Sequence, residues 1–130
     1  MSTVGIEYLR AKLARKKSRI LPRYMYYEMK YRARDLGIST PPELRALNSV
    51  LGWCAKAVDS LADRLIFREF RDDNFDINGI YAQNNPDIIF DSAVLSALIS
   101  ACSFIYISQG EDGFPRMQVI DGMHATGEID

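Results

Sequence analysis

The stretch Asn85-Pro-Asp-Ile-Ile-Phe-Asp-Ser-Ala-Val-Leu-Ser-Ala-Leu-Ile-Ser-Ala-Cys-Ser-Phe-Ile-Tyr-Ile-Ser108 decides the fold. From Ile88 to Ile107 it is nearly apolar over about 20 residues, the length of a membrane span. Three features argue against a span. Asp91 lies within it, Ser92, Ser96, Ser100 and Ser103 dilute it, and Ser103-Phe-Ile-Tyr-Ile-Ser108 has the β-branched and aromatic content of a strand. The reading is a buried helix running into a buried strand. Asn85-Pro86-Asp87 starts the helix: Asn accepts from the first free amides, Pro fits the first helical position, and Asp complements the positive end. Ser92, Ser96 and Ser100 beside Ala93, Ala97 and Ala101 make two small-residue rows that let a neighbouring element approach closely.

Downstream, Phe104–Ser108, the turn Gln109-Gly-Glu-Asp-Gly113 and Pro115–Ile120 predict a β-hairpin, with a further strand over His124–Ile129. Upstream, Asp72–Asn85 is polar and turn-rich, with a short helical patch at Ile77–Ala82. Before it, Ile66-Phe-Arg-Glu-Phe70 alternates like a short strand. Leu47, Val50, Leu51, Cys54, Val58, Leu61, Ala62 and Leu65 recur at helical spacing, which predicts an amphipathic helix over Asn48–Arg64 with Trp53 near its start. Gly37-Ile-Ser-Thr-Pro-Pro42 reads as a linker whose glycine ends the preceding helix.

The first third is helical and basic. Leu9, Leu13, Ile20, Tyr24, Tyr27 and Tyr31 form one apolar and aromatic stripe, and Pro22 predicts a break near Ile20 with a second helix from about residue 22. Tyr24, Tyr27 and Tyr31 are expected to pack inward, leaving Arg23, Lys30 and Arg34 exposed. The units are therefore a basic helical arm, residues 1–36, and an α+β part, residues 37–130, closed by a small antiparallel sheet and forming one body with the arm. The 130 residues suffice for one domain with a small core.

Charge is divided unevenly. Residues 1–34 hold ten Lys/Arg against two Glu, and the remainder six against fifteen Asp/Glu, so a net charge of −1 conceals about +8 and −9. Such an arm meets an acidic partner, nucleic acid, or the acidic part of another copy, unless it is simply a solvated helix face. Arg15, Lys16, Lys17, Arg19 and Arg23 are the residues expected to make electrostatic contact with a neighbour. The tyrosines interleaved with basic residues over Arg23–Arg34 also resemble a single-stranded nucleic-acid platform, although at helical spacing they suit packing better.

Catalytic signatures are missing: there is no Gly-x-x-x-x-Gly-Lys-Ser/Thr, Gly-x-Gly-x-x-Gly, His-Glu-x-x-His, Gly-x-Ser-x-Gly or Cys-x-x-Cys. One histidine, His124 near Asp121, is a poor basis for metal or acid–base chemistry and reads as a surface or packing residue. Cys54 and Cys102, both placed on apolar helices, fit neither a disulfide framework nor a thiol nucleophile, and point to a reducing compartment. Asn74-Phe-Asp76-Ile-Asn78-Gly79 copies the start of a calcium-binding EF-hand loop, but Asn stands at its first position and Asn85 at its twelfth, where a bidentate carboxylate is needed. The expectation is a noncatalytic protein with no metal, no cofactor and no membrane partner.

Taken in order, Tyr26-Tyr27-Glu28 with a basic residue following, Pro42-Glu43-Leu44-Arg45, Trp53 leading to Val58-Asp59-Ser60-Leu61-Ala62-Asp63-Arg64-Leu65, and Phe70-Arg71 resemble the N-terminal part of the portal proteins of long-tailed bacteriophages. Asn84-Asn85, the apolar helix, Phe104-Ile-Tyr-Ile107 and Pro115-Arg-Met-Gln-Val119 continue that pattern over nearly the whole chain. Gly52 departs from it, standing where the family often has Asn. The resemblance implies the outward wing of a subunit in a ring of about a dozen copies. Such a ring sits at the capsid vertex, in the virion or in the host cytoplasm before assembly, where DNA is packaged and the tail attached. Its implied partners are other portal subunits and capsid or scaffolding protein. Terminase and tail connectors would act through the channel, clip and crown, which in the family follow the region matched here, so the chain reads as a truncated product or fragment of a longer protein. Two further readings are a portal-derived interference protein that binds full-length portal or a host sensor, and a small nucleic-acid-binding module.

Overall fold

In a computed structural model the described residues are 5–31, 41, 43, 52–71 and 75–127. They form α1 (Ile6–Tyr27), α2 (Trp53–Ala62), α3 (Ile77–Gln83), α4 (Pro86–Ser100), β1 (Ser103–Gln109) and β2 (Pro115–Asp121), a small α+β arrangement. The two strands pair antiparallel, from Ser103 opposite Asp121 to Gln109 opposite Pro115. Gly113, at φ 79°, supplies the left-handed residue of the connecting turn.

α4 is the hub. It packs against α1, α2, α3 and both strands, which is why its apolar residues run almost all the way round. Ile89, Ala93 and Ile99 of α4 and Ile20 of α1 are the buried apolar residues among those described. At its C-terminal end the buried Ser100 hydroxyl lies 2.8 Å from the Ser96 carbonyl and 2.5 Å from that of Cys102. Gly122 is pressed onto this corner; a Cβ there would come within 2.9 Å of the Cys102 carbonyl oxygen. Ser96 and Ser100 thus serve close packing, with Ser96 3.4 Å from the Tyr24 hydroxyl, whereas Ser92 is exposed.

Several local expectations are corrected. α1 runs unbroken through Pro22. Pro22 is exposed, so the Ser18 carbonyl deprived of a helical donor lies on the solvated side. Meanwhile Ile20 on one side of it, and Tyr24 and Tyr27 on the other, are all held on the same layer. The helix also ends before Tyr31: Lys30 N–H reaches the Met25 carbonyl at 2.8 Å and Met29 N–H that of Tyr26 at 3.3 Å, with Met29 left-handed at φ 56°. Tyr31 then folds back to stack on Tyr26, ring centroids 4.3 Å apart, and stays exposed rather than packing inward. Gly37, the residue expected to end this helix, lies outside the described residues, as do Arg34 and residues 48–51 of the expected second helix.

Residues 66–70 are not a strand. Phe67 and Phe70 turn to the same cluster with Tyr81 and Phe90, Phe67 stacking on Phe90 at 3.9 Å. Instead of a ladder, the Asn78 side-chain amide serves the Phe70 backbone at 3.0 and 3.1 Å. Asn85 sits at φ 54° and makes no side-chain cap; it begins α4 by its backbone turn, its carbonyl accepting from Ile88 and Ile89. Cys102 follows α4 rather than lying on it. Residues 124–127 form no strand; the Ala125 and Gly127 carbonyls accept from lysines of α1 instead, and residues 128–130 lie outside the description. The expected short helix at Ile77–Ala82 and the hairpin are present as α3 and β1–β2.

Candidate assembly surface

The basic residues of α1 divide between those engaged within the chain and those left exposed. Lys16 donates to the Ala125 carbonyl at 3.3 Å and lies 5.0 Å from the Phe104 ring centroid, and Lys12 donates to the Gly127 carbonyl at 2.9 Å. These two lysines fasten the segment after β2 along the first helix. Lys16, one of the five residues expected to contact a neighbour, is therefore half-buried and engaged within the chain.

The other four, Arg15, Lys17, Arg19 and Arg23, are exposed. Among the described residues no carboxylate lies within ion-pairing distance of them, whereas Arg10 pairs with Glu7 at 3.1 Å and Lys30 with Glu28 at 2.6 Å. Arg15, Arg19 and Arg23 recur every four residues, which puts them in one row along the helix, while Lys17 lies on another flank. The exposed rings of Tyr8 and Tyr26 fall on the face that carries the row.

An acidic cleft lies between α2 and α4, about 500 Å³ in volume. Asp59 and Asp63 on one side and Asp87 and Asp91 on the other form its walls, and Leu65, Phe67 and Leu95 contribute apolar lining. Asp59 accepts the Tyr27 hydroxyl at 2.8 Å. That hydrogen bond, with some burial and the Asp59 charge, raises the Tyr27 phenol above its ordinary value of 10.0. Tyr81, which lines the cleft, is raised by burial first and then by the charges of Asp87 and Asp91. Among the described residues no cation forms an ion pair with these four aspartates. Sequence reading singled out the arm but missed the cleft, whose only signal was the spacing of Asp59 to Asp63 and of Asp87 to Asp91.

The remaining chemistry-bearing residues are dispersed. His124 is exposed with Nδ1 2.9 Å from Asp121 Oδ1, and the same oxygen accepts the Met123 N–H at 2.7 Å, so the pair shapes the turn after β2. Cys54 is an exposed thiol on α2, and Cys102 is half-buried. Of the EF-hand-like stretch, Asn78 is turned to the Phe70 backbone, and Asn74 lies outside the described residues. Among the described residues no group of three or more His, Cys, Asp or Glu is placed to hold a metal ion, and no helix is long and apolar enough to cross a membrane. No family model, no curated protein and no solved structure matches the chain.

Proposed function

We propose that this chain is a noncatalytic assembly protein, the wing portion of a portal-ring subunit that acts at the phage capsid vertex, or in the host cytoplasm before incorporation there. The order of sequence segments suggests the portal. The observation that carries the assembly reading is the exposed row Arg15, Arg19 and Arg23, three cations with no acidic partner among the described residues. Holding like charges together on one helix face costs stability unless an opposite surface is brought to them.

The apolar inventory supports the same reading. Fifteen large apolar or aromatic residues are exposed against four buried apolar ones among those described, and Trp53, at 77% exposure, is the first residue of α2. Apolar side chains exposed in that number gain by being buried against neighbours. The partners are other portal subunits and capsid or scaffolding protein.

The test is the mass in solution by size exclusion with light scattering, at low and high salt. A closed ring of about a dozen copies that dissociates as salt rises is expected. A monomer under both conditions, or a two-fold dimer, would remove the ring-subunit reading.

A further inference from the structure

We propose that the cleft between α2 and α4 receives the Arg15, Arg19 and Arg23 row of α1 from a second copy of this chain. The proposal rests on the assembly reading above and names the surface that the row would meet.

The three charge rows share one repeat. Asp59 and Asp63, Asp87 and Asp91, and the three arginines each step by four residues, an axial rise of about 6 Å per step. A helix laid along the cleft with its arginines inward therefore meets carboxylates from both walls at matching intervals. Guanidinium groups suit this site better than ammonium groups, because they bind carboxylates through paired N–H donors. Their apolar stems can lie on Leu65, Phe67 and Leu95, the cleft's apolar lining.

Among the described residues these charges are not paired with one another. α1 is fixed to the body by buried Ile20, by Tyr24 at Ser96 and by Tyr27 at Asp59, and Arg15, Arg19 and Arg23 remain exposed, Arg23 beside Tyr27 and Val58. Opposite charges are thus present in one molecule with no ion pair between them among the described residues, and a second copy supplies the complement of each. A contact between two different patches closes into a ring, extends into a filament, or is used reciprocally in a dimer.

Two charge-reversed proteins test this. One carries Arg15→Glu, Arg19→Glu and Arg23→Glu; the other carries Asp63→Lys, Asp87→Lys and Asp91→Lys, with Asp59 kept as the Tyr27 acceptor. Each is measured alone and in an equimolar mixture by light scattering and sedimentation at low salt, after circular dichroism has verified folding. Each alone should self-associate roughly tenfold more weakly or worse than the unaltered chain, and the mixture should recover association. If a reversal prevents folding, the neutral set Arg15→Gln, Arg19→Gln, Asp87→Asn and Asp91→Asn replaces it, and weakened association is the expected result. Self-association of either reversed protein at the unaltered level, or a mixture no tighter than its parts, overturns the proposal. A monomeric unaltered chain overturns it as well. The outcome separates this contact from the ring: a dimer rescued by mixing keeps the cleft and removes the ring, whereas a ring indifferent to both reversals removes the cleft and keeps the ring.

Discussion

The side-chain amide of Asn84 occupies the place of a neighbouring strand beside Met117. Its Oδ1 accepts the Met117 backbone N–H at 3.0 Å, and its Nδ2 donates to the Pro115 carbonyl at 2.9 Å and to that of Ile80 at 2.8 Å. One buried residue after α3 thereby ties the edge of β2 to the helix pair that precedes it. The hairpin is oriented on α4 from both sides, by Asn84 at the start of β2 and by Gly122 against Cys102 after its end.

Replacing Asn84 by Ala strands the Met117 donor and the Pro115 acceptor at a buried site. The expected loss is about 1–3 kcal/mol in urea unfolding. Asn84→Asp keeps the acceptor for Met117 but has no N–H for the two carbonyls, so it should also destabilise.

Ile20 and Arg19 are adjacent in sequence and opposite in role. Ile20→Ala, at a site 2% exposed, should cost about 2–5 kcal/mol. Arg19→Ala should leave the urea midpoint nearly unchanged and lower only association at low salt.

Lys16 belongs with Ile20 rather than with Arg19. Lys16→Ala removes the bond to Ala125 and the contact with Phe104, an expected loss of about 1 kcal/mol. Amide exchange in residues 122–127 should quicken, a change Arg15→Ala should not produce.

The phenols of Tyr27 and Tyr81 give stability an alkaline dependence. Both are raised in the folded chain, so each contributes stability that is whole below pH 10.0 and is lost as pH rises through the folded value. Phenolate absorbance should show both titrating late, and Tyr81→Phe should flatten the decline of the unfolding midpoint above pH 10. An equal decline in that variant would assign the effect elsewhere.

For DNA, α1 offers at most the four exposed cations that are unpaired among the described residues, Arg15, Lys17, Arg19 and Arg23, the first, third and fourth in one row. Neutralising that many phosphates gives a log affinity against log salt slope of about −3.6 at most in magnitude. A steeper measured slope would require cations other than these.

Local signals made α3, α4 and the hairpin legible: the polar turn-rich stretch around α3, Pro86 at the start of the apolar run of α4, and the glycine-bounded turn between the strands, although Asn85 makes no side-chain cap. The misreadings share a cause: tertiary partners overrode local signals. Pro22 is carried through by anchors on either side of it, and Phe67 and Phe70 abandon alternation for an aromatic cluster that includes residues of α3 and α4. Met29 ends α1 in a conformation normally left to glycine. At the candidate surface, sequence identified the cations but not which of them point inward. Lys16 and Lys17 look interchangeable until Phe104 and Ala125 are in place. The acidic cleft needed α2 and α4 side by side, which no spacing within either helix specifies.

The bonds from Lys12 to Gly127 and from Lys16 to Ala125 join residues 115 and 109 positions apart. Contacts of such separation bear a loop-closure entropy that neighbouring contacts do not, and they slow the approach to the native state. During synthesis, α1 emerges long before residues 125–127, so Lys12 and Lys16 spend that interval without these partners. Among the described helices, the one made earliest is thus fastened in part by the described segment made latest.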